Sequence, residues 1–164
     1  MGRKKENPVR ADGTQALDQT ELKRYTGYYL ARARYTAFRT FDRHIGSVHQ
    51  LTPVEFSLML LLRGNERATQ SQLSLALGVA PPNMTGILRR LESRGLVERT
   101  RGEIDKRMQF IALTAKGKAL IEAAHAVGKT MDKAWLGNLS RAEQAMLAEL
   151  LEKVGVALPV LGAG

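Results

Sequence analysis

The sequence predicts a mainly α-helical protein that carries one small β-hairpin, and three observations lead to this fold class. Apolar residues recur at three-and-four spacing along most of the 164 residues, which is the spacing of one helix face. Strand-like composition on both sides of a turn occurs over residues 96–113 and predicts the hairpin. Helix-capping pairs, in which Ser, Thr or Asp precedes Glu or Gln by three positions, are Asp18 with Glu21, Thr52 with Glu55, Thr69 with Gln72, and Ser140 with Glu143.

The first predicted helix begins at Asp18 and runs to about Gly46. Tyr25 and Tyr29 lie on its first apolar stripe, which shifts to another face near residues 32–37. A helix that changes its buried face contacts two partners, so one half is expected to pack on its own domain and the other on a second copy. At about 1.5 Å per residue the helix is roughly 40 Å long, enough to cross a dimer.

The next helix begins at Thr52, with Pro53 in its first turn and Glu55 completing the capping box. Residues 56–62 are apolar on nearly every side of that helix, which predicts that it is buried. The short connector of residues 65–68 is a candidate third strand beside the hairpin.

Two short helices follow in the middle of the chain. Residues 69–77 form the first, which Gly78 ends because glycine readily takes the left-handed conformation of a helix stop. The second begins at Pro81 and runs to about Arg94. Its predicted inward face consists of Met84, Ile87, Leu88 and Leu91. Its opposite face carries Asn83, Gly86, Arg89, Arg90 and Ser93. A helix with a buried apolar stripe and a polar, arginine-bearing face suits the DNA major groove.

The hairpin comes directly after these helices, with strands over residues 96–101 and 107–113 and a turn over residues 102–106. The cations on or beside this turn are Arg99, Arg101, Lys106 and Arg107. Two short helices followed by a basic hairpin constitute a winged helix-turn-helix, so residues 53–113 are predicted to be a DNA-binding lobe.

Two more helices are predicted after the hairpin, one beginning at Thr114 and one at Ser140. Together with the first helix they are too apolar along one side for a lone winged helix to bury. A symmetric dimer, whose patch meets itself about a two-fold axis, buries that surface. Residues 17–48 and 115–161 are therefore predicted to form a helical dimerisation region.

Residues 17–164 are predicted to be a single domain, preceded by a disordered basic arm over residues 1–16. The arm is either a solvated tail or a segment that touches DNA phosphate. The net charge of +9 favours a polyanionic partner, although basic surfaces also occur on proteins that bind none.

The run LESRGLVERTRGEIDKRMQFIALTAKG resembles the signature of the multiple-antibiotic-resistance-regulator (MarR) family. The matching pieces are Leu91-Glu92, Gly95-Leu96-Val97-Glu98-Arg99, Asp105-Lys106-Arg107, Leu113-Thr114 and Lys116-Gly117. The resemblance extends over roughly residues 20 to 155. Members often carry a Ser or Thr N-cap where this chain has Ala80 and a double proline.

The resemblance and the helix pattern together predict the DNA-binding residues. They are Pro82, Asn83, Thr85, Gly86, Arg89, Arg90, Arg99, Arg101, Asp105, Lys106 and Arg107. Asn83 suits adenine and Arg89 suits guanine by donor and acceptor pattern, while the alternative for the arginines is an ordinary solvated helix face. The resemblance implies that Arg107 enters a narrow minor groove and that Asp105 orients it; the alternative is a plain turn.

Members of this family commonly hold an aromatic or acidic ligand where the dimer helices meet the DNA-binding lobe. On that resemblance the predicted ligand-binding residues are Tyr28, Arg32, Tyr35, Arg39, Phe56 and Met59. Arginine with tyrosine suits an aromatic carboxylate, a phenol or an acyl thioester as effector. Core packing and surface charge explain the same residues equally well.

Several classes of protein and site lack support in the sequence. The chain has no cysteine, so disulfides and thiol-based peroxide sensing are excluded. No apolar stretch follows the basic start, and the longest apolar run is far below the roughly 20 residues of a membrane helix, which predicts a cytoplasmic or nucleoid-associated protein without a membrane partner. His44 and His49 are five positions apart and do not share a metal-binding helix face. No phosphate-binding loop or nucleophile motif is present, so neither an enzyme nor a cofactor is expected.

The function expected from these features is a ligand-responsive transcriptional regulator. It is expected to be a repressor that binds a pseudo-palindromic operator as a homodimer and that a small aromatic or acidic effector releases. The first alternative is a nucleoid-type protein that binds DNA without sequence preference or ligand response. The second is a scaffold protein without DNA affinity.

Overall fold

The computed structural model describes residue 14, residues 16–102 and residues 108–156, without the side chains of Lys129 and Val156. Contacts divide the chain into two compact units, residues 1–37 and residues 38–164, which are described separately below. The described part is mainly helical and contains one three-stranded antiparallel sheet, as the sequence predicts. The boundary between the units falls inside the first long helix.

The first helix begins later than predicted. The carboxylate of Asp18 accepts hydrogen bonds from the backbone N–H of Thr20 at 2.9 Å and from its hydroxyl at 2.6 Å. A single 3-10 turn over Leu22–Arg24 follows, and Tyr25 is extended with φ −103° and ψ 122°. Helix α1 therefore begins only at Thr26 and covers Thr26–Phe41. The predicted start at Asp18 is wrong because its carboxylate closes a local turn and Tyr25 interrupts the helix.

The helix also continues past its predicted end. After α1 the chain makes a π-helical turn over Asp42–Gly46 and a last α-helical turn over Ser47–His49. Gln50 ends it in the left-handed conformation, with φ 53°. This conformation is uncommon for a residue with a side chain, so the chain reverses here at an energetic cost that surrounding contacts must offset.

Helix α2 covers Pro53–Asn65 and has the complete capping box that the sequence predicts between Thr52 and Glu55. Strand β1, Arg67–Ala68, comes from the predicted connector. Helix α3 covers Gln70–Leu77, capped by the Thr69–Gln72 box and ended by Gly78 at φ 60°. These boundaries follow local capping chemistry, which is why the sequence predicts them closely.

Helix α4, Pro81–Ser93, is the second helix of the helix-turn-helix. Strands β2, Val97–Arg101, and β3, Gln109–Leu113, pair antiparallel with Val97 opposite Leu113. Strand β1 pairs with β3 on the other side, with Ala68 opposite Ile111, so the order is β1-β3-β2. The predicted third strand is confirmed.

Helix α5 covers Ala115–Leu136 and is capped by Thr114, whose hydroxyl accepts from the N–H of Gly117. A Cβ on Gly117 would lie 1.9 Å from the carbonyl oxygen of Leu96, so only glycine allows α5 to approach the wing this closely. Helix α6 covers Arg141–Val156, after the predicted capping box of Ser140 and Glu143.

The main core of the second unit lies beneath the helix-turn-helix. Its fully buried side chains are Leu58, Met59, Leu62, Leu73, Met84, Leu88, Leu91, Leu96, Ile111 and Ile121. A smaller cluster contains Phe41, Ile45 and Ala124, with Phe56 packed against it. Burial of these apolar side chains is the main stabilising contribution to the lobe.

Large apolar side chains remain exposed in each unit. They are Leu17, Leu22, Tyr25, Tyr29, Leu30 and Tyr35 in the first unit, and include Met146, Leu150, Leu151 and Val154 on α6 in the second.

In the part of the chain that the structure describes, no single helix is long and apolar enough to cross a membrane. The bent pair Thr26–His49 and Pro53–Asn65 reaches that length and apolar composition only when the two helices are taken together.

Candidate nucleic-acid interface

Helix α4 presents the two faces that its spacing predicts. Met84, Leu88 and Leu91 are fully buried against the core, which fixes the rotation of the helix about its axis. Asn83 and Arg89 are exposed on the opposite side. Pro82, Thr85, Gly86 and Arg90, from the predicted set, are exposed as well. The burial of the apolar stripe therefore directs a polar helix face to solvent.

The N-terminus of α4 has no side-chain N-cap, but side-chain hydrogen bonds join it to α3. Ala80 makes no side-chain cap, and Pro81 and Pro82 have no N–H. The hydroxyl of Thr85 donates to the carbonyl of Pro81 at 3.0 Å, and the side-chain amide of Gln70 donates to the Thr85 hydroxyl at 2.8 Å. Thr85 thus connects α4 to α3. Gln70 was not predicted as a site residue, because only the crossing of the two helices brings it to Thr85.

Arg89 and Arg90 are adjacent but have different surroundings. Arg90 Nε donates to Glu55 Oε1 at 2.5 Å, and the Glu55 side chain is only 1% exposed. Arg89 is exposed and has no hydrogen-bond or ion-pair partner among the residues that the structure describes. Arg89 is therefore available to a phosphate or a base, whereas Arg90 already has a buried carboxylate as its partner.

Arg94, at the end of α4, was also not predicted as a site residue. Its guanidinium donates to the carbonyl oxygens of Gln50 at 2.5 Å and His49 at 3.0 Å. Its own carbonyl accepts from Lys116 Nζ at 2.8 Å. The C-terminus of α4 is thereby connected to the segment that precedes α2. Sequence spacing contains no signal for this contact, since its partners are backbone atoms more than forty residues away.

The predicted wing cations also differ from one another. Arg99 Nε donates to Glu92 Oε1 at 2.5 Å, and Arg99 Nη1 donates to Gln109 Oε1 at 3.3 Å, so Arg99 fastens strand β2 to helix α4 and to strand β3. Arg101 is exposed at the end of β2. The predicted contacts of Asp105, Lys106 and Arg107 lie outside the described residues. An unpredicted cation, Arg67, lies 4.7 Å above the Phe110 ring.

The predicted ligand-binding residues are divided between the two units. In the first unit, Arg32 Nη1 donates to the Tyr28 hydroxyl at 3.4 Å and the Arg32 guanidinium lies 5.7 Å from the Tyr28 ring centroid. Tyr35 is exposed there. In the second unit, Arg39 is exposed, Phe56 is half-buried against Phe41, and Met59 is fully buried in the core.

A cavity of about 560 Å³ lies in the second unit between the end of α2, the sheet and α5. Its lining residues are Leu62, Arg63, Glu66, Glu98, Ala112, Leu113, Lys118, Ile121 and Glu122. Arg63 Nε donates to Glu122 Oε1 at 2.6 Å, and this hydrogen bond holds the pKa of the Glu122 carboxyl below its ordinary value. Within the described residues, no group of His, Cys, Asp and Glu side chains is arranged to hold a metal ion.

Comparison with known proteins agrees with this geometry. Residues 51–108, which contain the helix-turn-helix and β2, match the model of the MarR family. The transcriptional regulator HosA of Escherichia coli O157:H7 is 33% identical over 104 residues, which cover 63% of this chain and 77% of that relative.

Two solved structures are similar over most of the chain. The transcriptional repressor CouR bound to a 23-mer DNA duplex superposes with a TM-score of 0.79 at 34% identity, covering 86% of this chain and 99% of that chain. BpsR of Bordetella bronchiseptica, whose DNA binding is regulated by 6-hydroxynicotinic acid, has a TM-score of 0.75 at 25% identity, covering 82% and 95% respectively.

Proposed function

This chain belongs to the MarR family, and we propose that it performs the family's ligand-responsive repression of transcription by placing the exposed face of α4 in the major groove of an operator. The observation that carries the assignment is the position of Arg89. It lies exposed on the side of α4 that faces away from three fully buried side chains, and it has no partner among the described residues. Such an arginine can donate two hydrogen bonds to guanine.

The wing supplies the second DNA contact in this proposal. Arg101 is exposed at the end of β2, and Lys106 and Arg107 were predicted on or beside the turn that follows it. A cation here can neutralise phosphate or enter a narrow minor groove, where the negative potential is enhanced. Arg99 is assigned a different task, since its bonds to Glu92 and Gln109 hold the wing strand to α4.

The active form in this proposal is a homodimer. Exposed aromatic and aliphatic side chains on residues 17–37, and others on α6, have the character of surfaces that a second copy covers. Two-fold symmetry then places the two α4 helices about one DNA turn apart, roughly 34 Å, which requires a pseudo-palindromic site. A monomer of native helix content in sedimentation at micromolar concentration would contradict the dimer.

The proposed effector is a small aromatic acid, its phenol or its thioester. The regulation of BpsR by 6-hydroxynicotinic acid supports this class, as does the pair of Arg32 and Tyr28 in the first unit of this chain. The Arg32 guanidinium could donate a bidentate pair of bonds to a carboxylate, while the Tyr28 ring offers an apolar face. The assignments of Tyr35, Arg39, Phe56 and Met59 to a ligand stay predictions from the sequence, and Met59, fully buried in the core, would reach a ligand only if the core rearranged.

The test is selection of duplexes from a random 30-base-pair pool, followed by fluorescence-anisotropy titration of the best duplex and a scrambled version. We expect a pseudo-palindromic sequence and discrimination of at least about 10³-fold at physiological salt. Addition of 6-hydroxynicotinate, 4-hydroxybenzoate or salicylate tests whether an effector releases the protein from the selected duplex. Equal binding to both duplexes, with a steep salt dependence, would indicate a nucleoid-type protein, and no binding would indicate a scaffold.

A further inference from the structure

We propose that Arg90 and Arg94 are positioning residues, which fasten the recognition helix α4 to the segment of residues 49–55 and so set its orientation for DNA. This inference rests on the proposed function, because it concerns the same helix. It departs from the sequence-based assignment of Arg90 as a direct DNA contact. Both arginines contact the same short segment, which leads from the helical turn Ser47–His49 into α2.

The Arg90 contact is made to a buried acid that already serves the backbone. Glu55 Oε1 accepts from Arg90, while Glu55 Oε2 accepts from the N–H of Thr52 at 2.8 Å and from its hydroxyl at 3.0 Å. Arg90 Nη2 also donates to the Thr52 hydroxyl at 3.4 Å. Burial of a carboxylate that is 1% exposed is costly unless a cation and hydrogen bonds replace the lost water contacts. Arg90 supplies the cation, so its guanidinium is held toward α2.

The Arg94 contact is made to a helix end. The carbonyls of His49 and Gln50 lie where the helix stops, and carbonyls in a last turn have no intrahelical partner. Arg94 donates to both, and its positive charge is favourable at the negative end of a helix dipole. Gln50 is in the left-handed conformation, and the π-helical turn of Asp42–Gly46 lies just before it.

The two contacts connect α4 to the last helical turn, Ser47–His49, and to the segment that follows it. The buried stripe of α4 determines its rotation, whereas Arg90 and Arg94 attach its C-terminal half to residues 49–55. A π-helical turn is a feature that often occurs at functional sites, and here the short turn Ser47–His49 follows it and leads to the attachment. Displacement of residues 49–55 therefore moves α4, and restraint of those residues holds it.

Replacing Glu55 by Gln separates this role from direct DNA contact, because the two roles predict opposite signs. Gln at this position keeps the capping box but removes the charge that holds Arg90. If Arg90 is a positioning residue, Glu55→Gln loosens α4 and weakens DNA binding. If Arg90 is a DNA contact that Glu55 restrains, the same change frees a cation, so binding becomes tighter and its salt dependence steeper.

The experiment titrates the wild-type full-length protein and its variants with the duplex that the wild type selects from a random pool. We expect Glu55→Gln to weaken binding within the range of about 5- to 150-fold that is typical of coupling between sites, with an unchanged salt slope. The matched control is Glu122→Gln, which removes an equal charge from an Arg–Glu pair between α2 and α5 and should leave affinity near wild type. Tighter or unchanged binding by Glu55→Gln would overturn the proposal.

A second measurement needs no DNA and separates this inference from the proposed function. Amide hydrogen exchange over residues 84–93 should accelerate in Glu55→Gln and in Arg94→Ala, while Arg94→Lys restores part of the protection. Wild-type exchange rates in both variants would refute the positioning role, whether or not the protein binds DNA. Failure of the wild type to bind any duplex, with accelerated exchange in the variants, would refute the function and leave the positioning role supported.

Discussion

The side-chain amide of Gln70 donates to the hydroxyl of Thr85 at 2.8 Å, and this bond joins the two helices of the helix-turn-helix near the uncapped start of α4. The Thr85 hydroxyl in turn donates a hydrogen bond to the carbonyl oxygen of Pro81. A double proline reduces the number of N–H groups that need capping at the start of α4, and the Gln70 bond joins that start to the preceding helix without capping an N–H group.

Loss of this bond should lower both stability and operator affinity. We expect Gln70→Ala to reduce the free energy of unfolding by about 0.5–1.5 kcal/mol, the usual net contribution of one hydrogen bond. Urea denaturation measures it, with Thr85→Ser as the control that keeps the hydroxyl and Thr85→Val as the variant that removes it. If Thr85→Val were as stable as Thr85→Ser, the hydroxyl would have no such role.

Removal of Arg89 should affect DNA recognition without affecting the fold. The side chain is exposed and has no partner among the described residues, so Arg89→Ala should leave thermal stability near wild type. Operator affinity should fall by about 1–3 kcal/mol, with relaxed specificity at one position in each half-site. Competition binding with single-base variants of the operator tests this, and equal base preference in mutant and wild type would exclude a base contact.

Removal of Arg107 should change the salt dependence of binding. Its side chain was predicted from the sequence to reach DNA from the wing. If it neutralises phosphate, Arg107→Ala should flatten the slope of log K against log salt by about 0.9 for each lost contact. If it enters the minor groove, the loss of affinity should instead vary with A·T content at the flanks. An unchanged slope together with unchanged affinity would show that the wing turn does not touch DNA there.

Removal of Arg32 should affect ligand response and spare DNA binding. We expect Arg32→Ala to bind the operator near wild-type affinity but to need more effector for release, since coupling of about 1–3 kcal/mol depends on differential ligand contacts. Anisotropy titrations with 6-hydroxynicotinate, 4-hydroxybenzoate and salicylate measure the shift. Tyr28→Phe keeps the ring but removes the hydroxyl, so it serves as the matched variant. Release of the mutant at wild-type effector concentrations would remove Arg32 from the ligand site.

The Arg63–Glu122 pair should give the lobe a dependence on acidic pH. The hydrogen bond from Arg63 lowers the pKa of Glu122 in the folded state below its ordinary 4.5. The pair therefore stabilises the folded protein above the unfolded pKa, and this contribution is lost as pH falls through the folded pKa. Glu122→Gln should reduce the fall of Tm with acidification below about pH 4.5. Parallel curves of Tm against pH for mutant and wild type would contradict this.

Local chemistry explains what the sequence predicted closely. The capping boxes at Thr52, Thr69 and Ser140 set helix starts within one residue, because their bonds join positions three apart. The wrong helix start at Asp18 is also a local effect. The Asp18 carboxylate accepts from the N–H of Thr20 and closes a turn, and an acidic residue at this position is compatible with either a turn or a helix start. Sequence pattern could not choose between these two local outcomes.

What the sequence by itself determined is the architecture and the exposed face of α4, because the Met84, Leu88 and Leu91 stripe leaves one rotation that buries it. What only the tertiary structure decided is which arginines are available. Arg89 and Arg90 are alike in sequence and both partly solvated, yet only Arg90 lies within reach of a buried carboxylate 35 positions away. The energy of an ion pair depends on the distance between the two charges in space, and for residues this far apart in the sequence that distance cannot be predicted from their spacing along the chain.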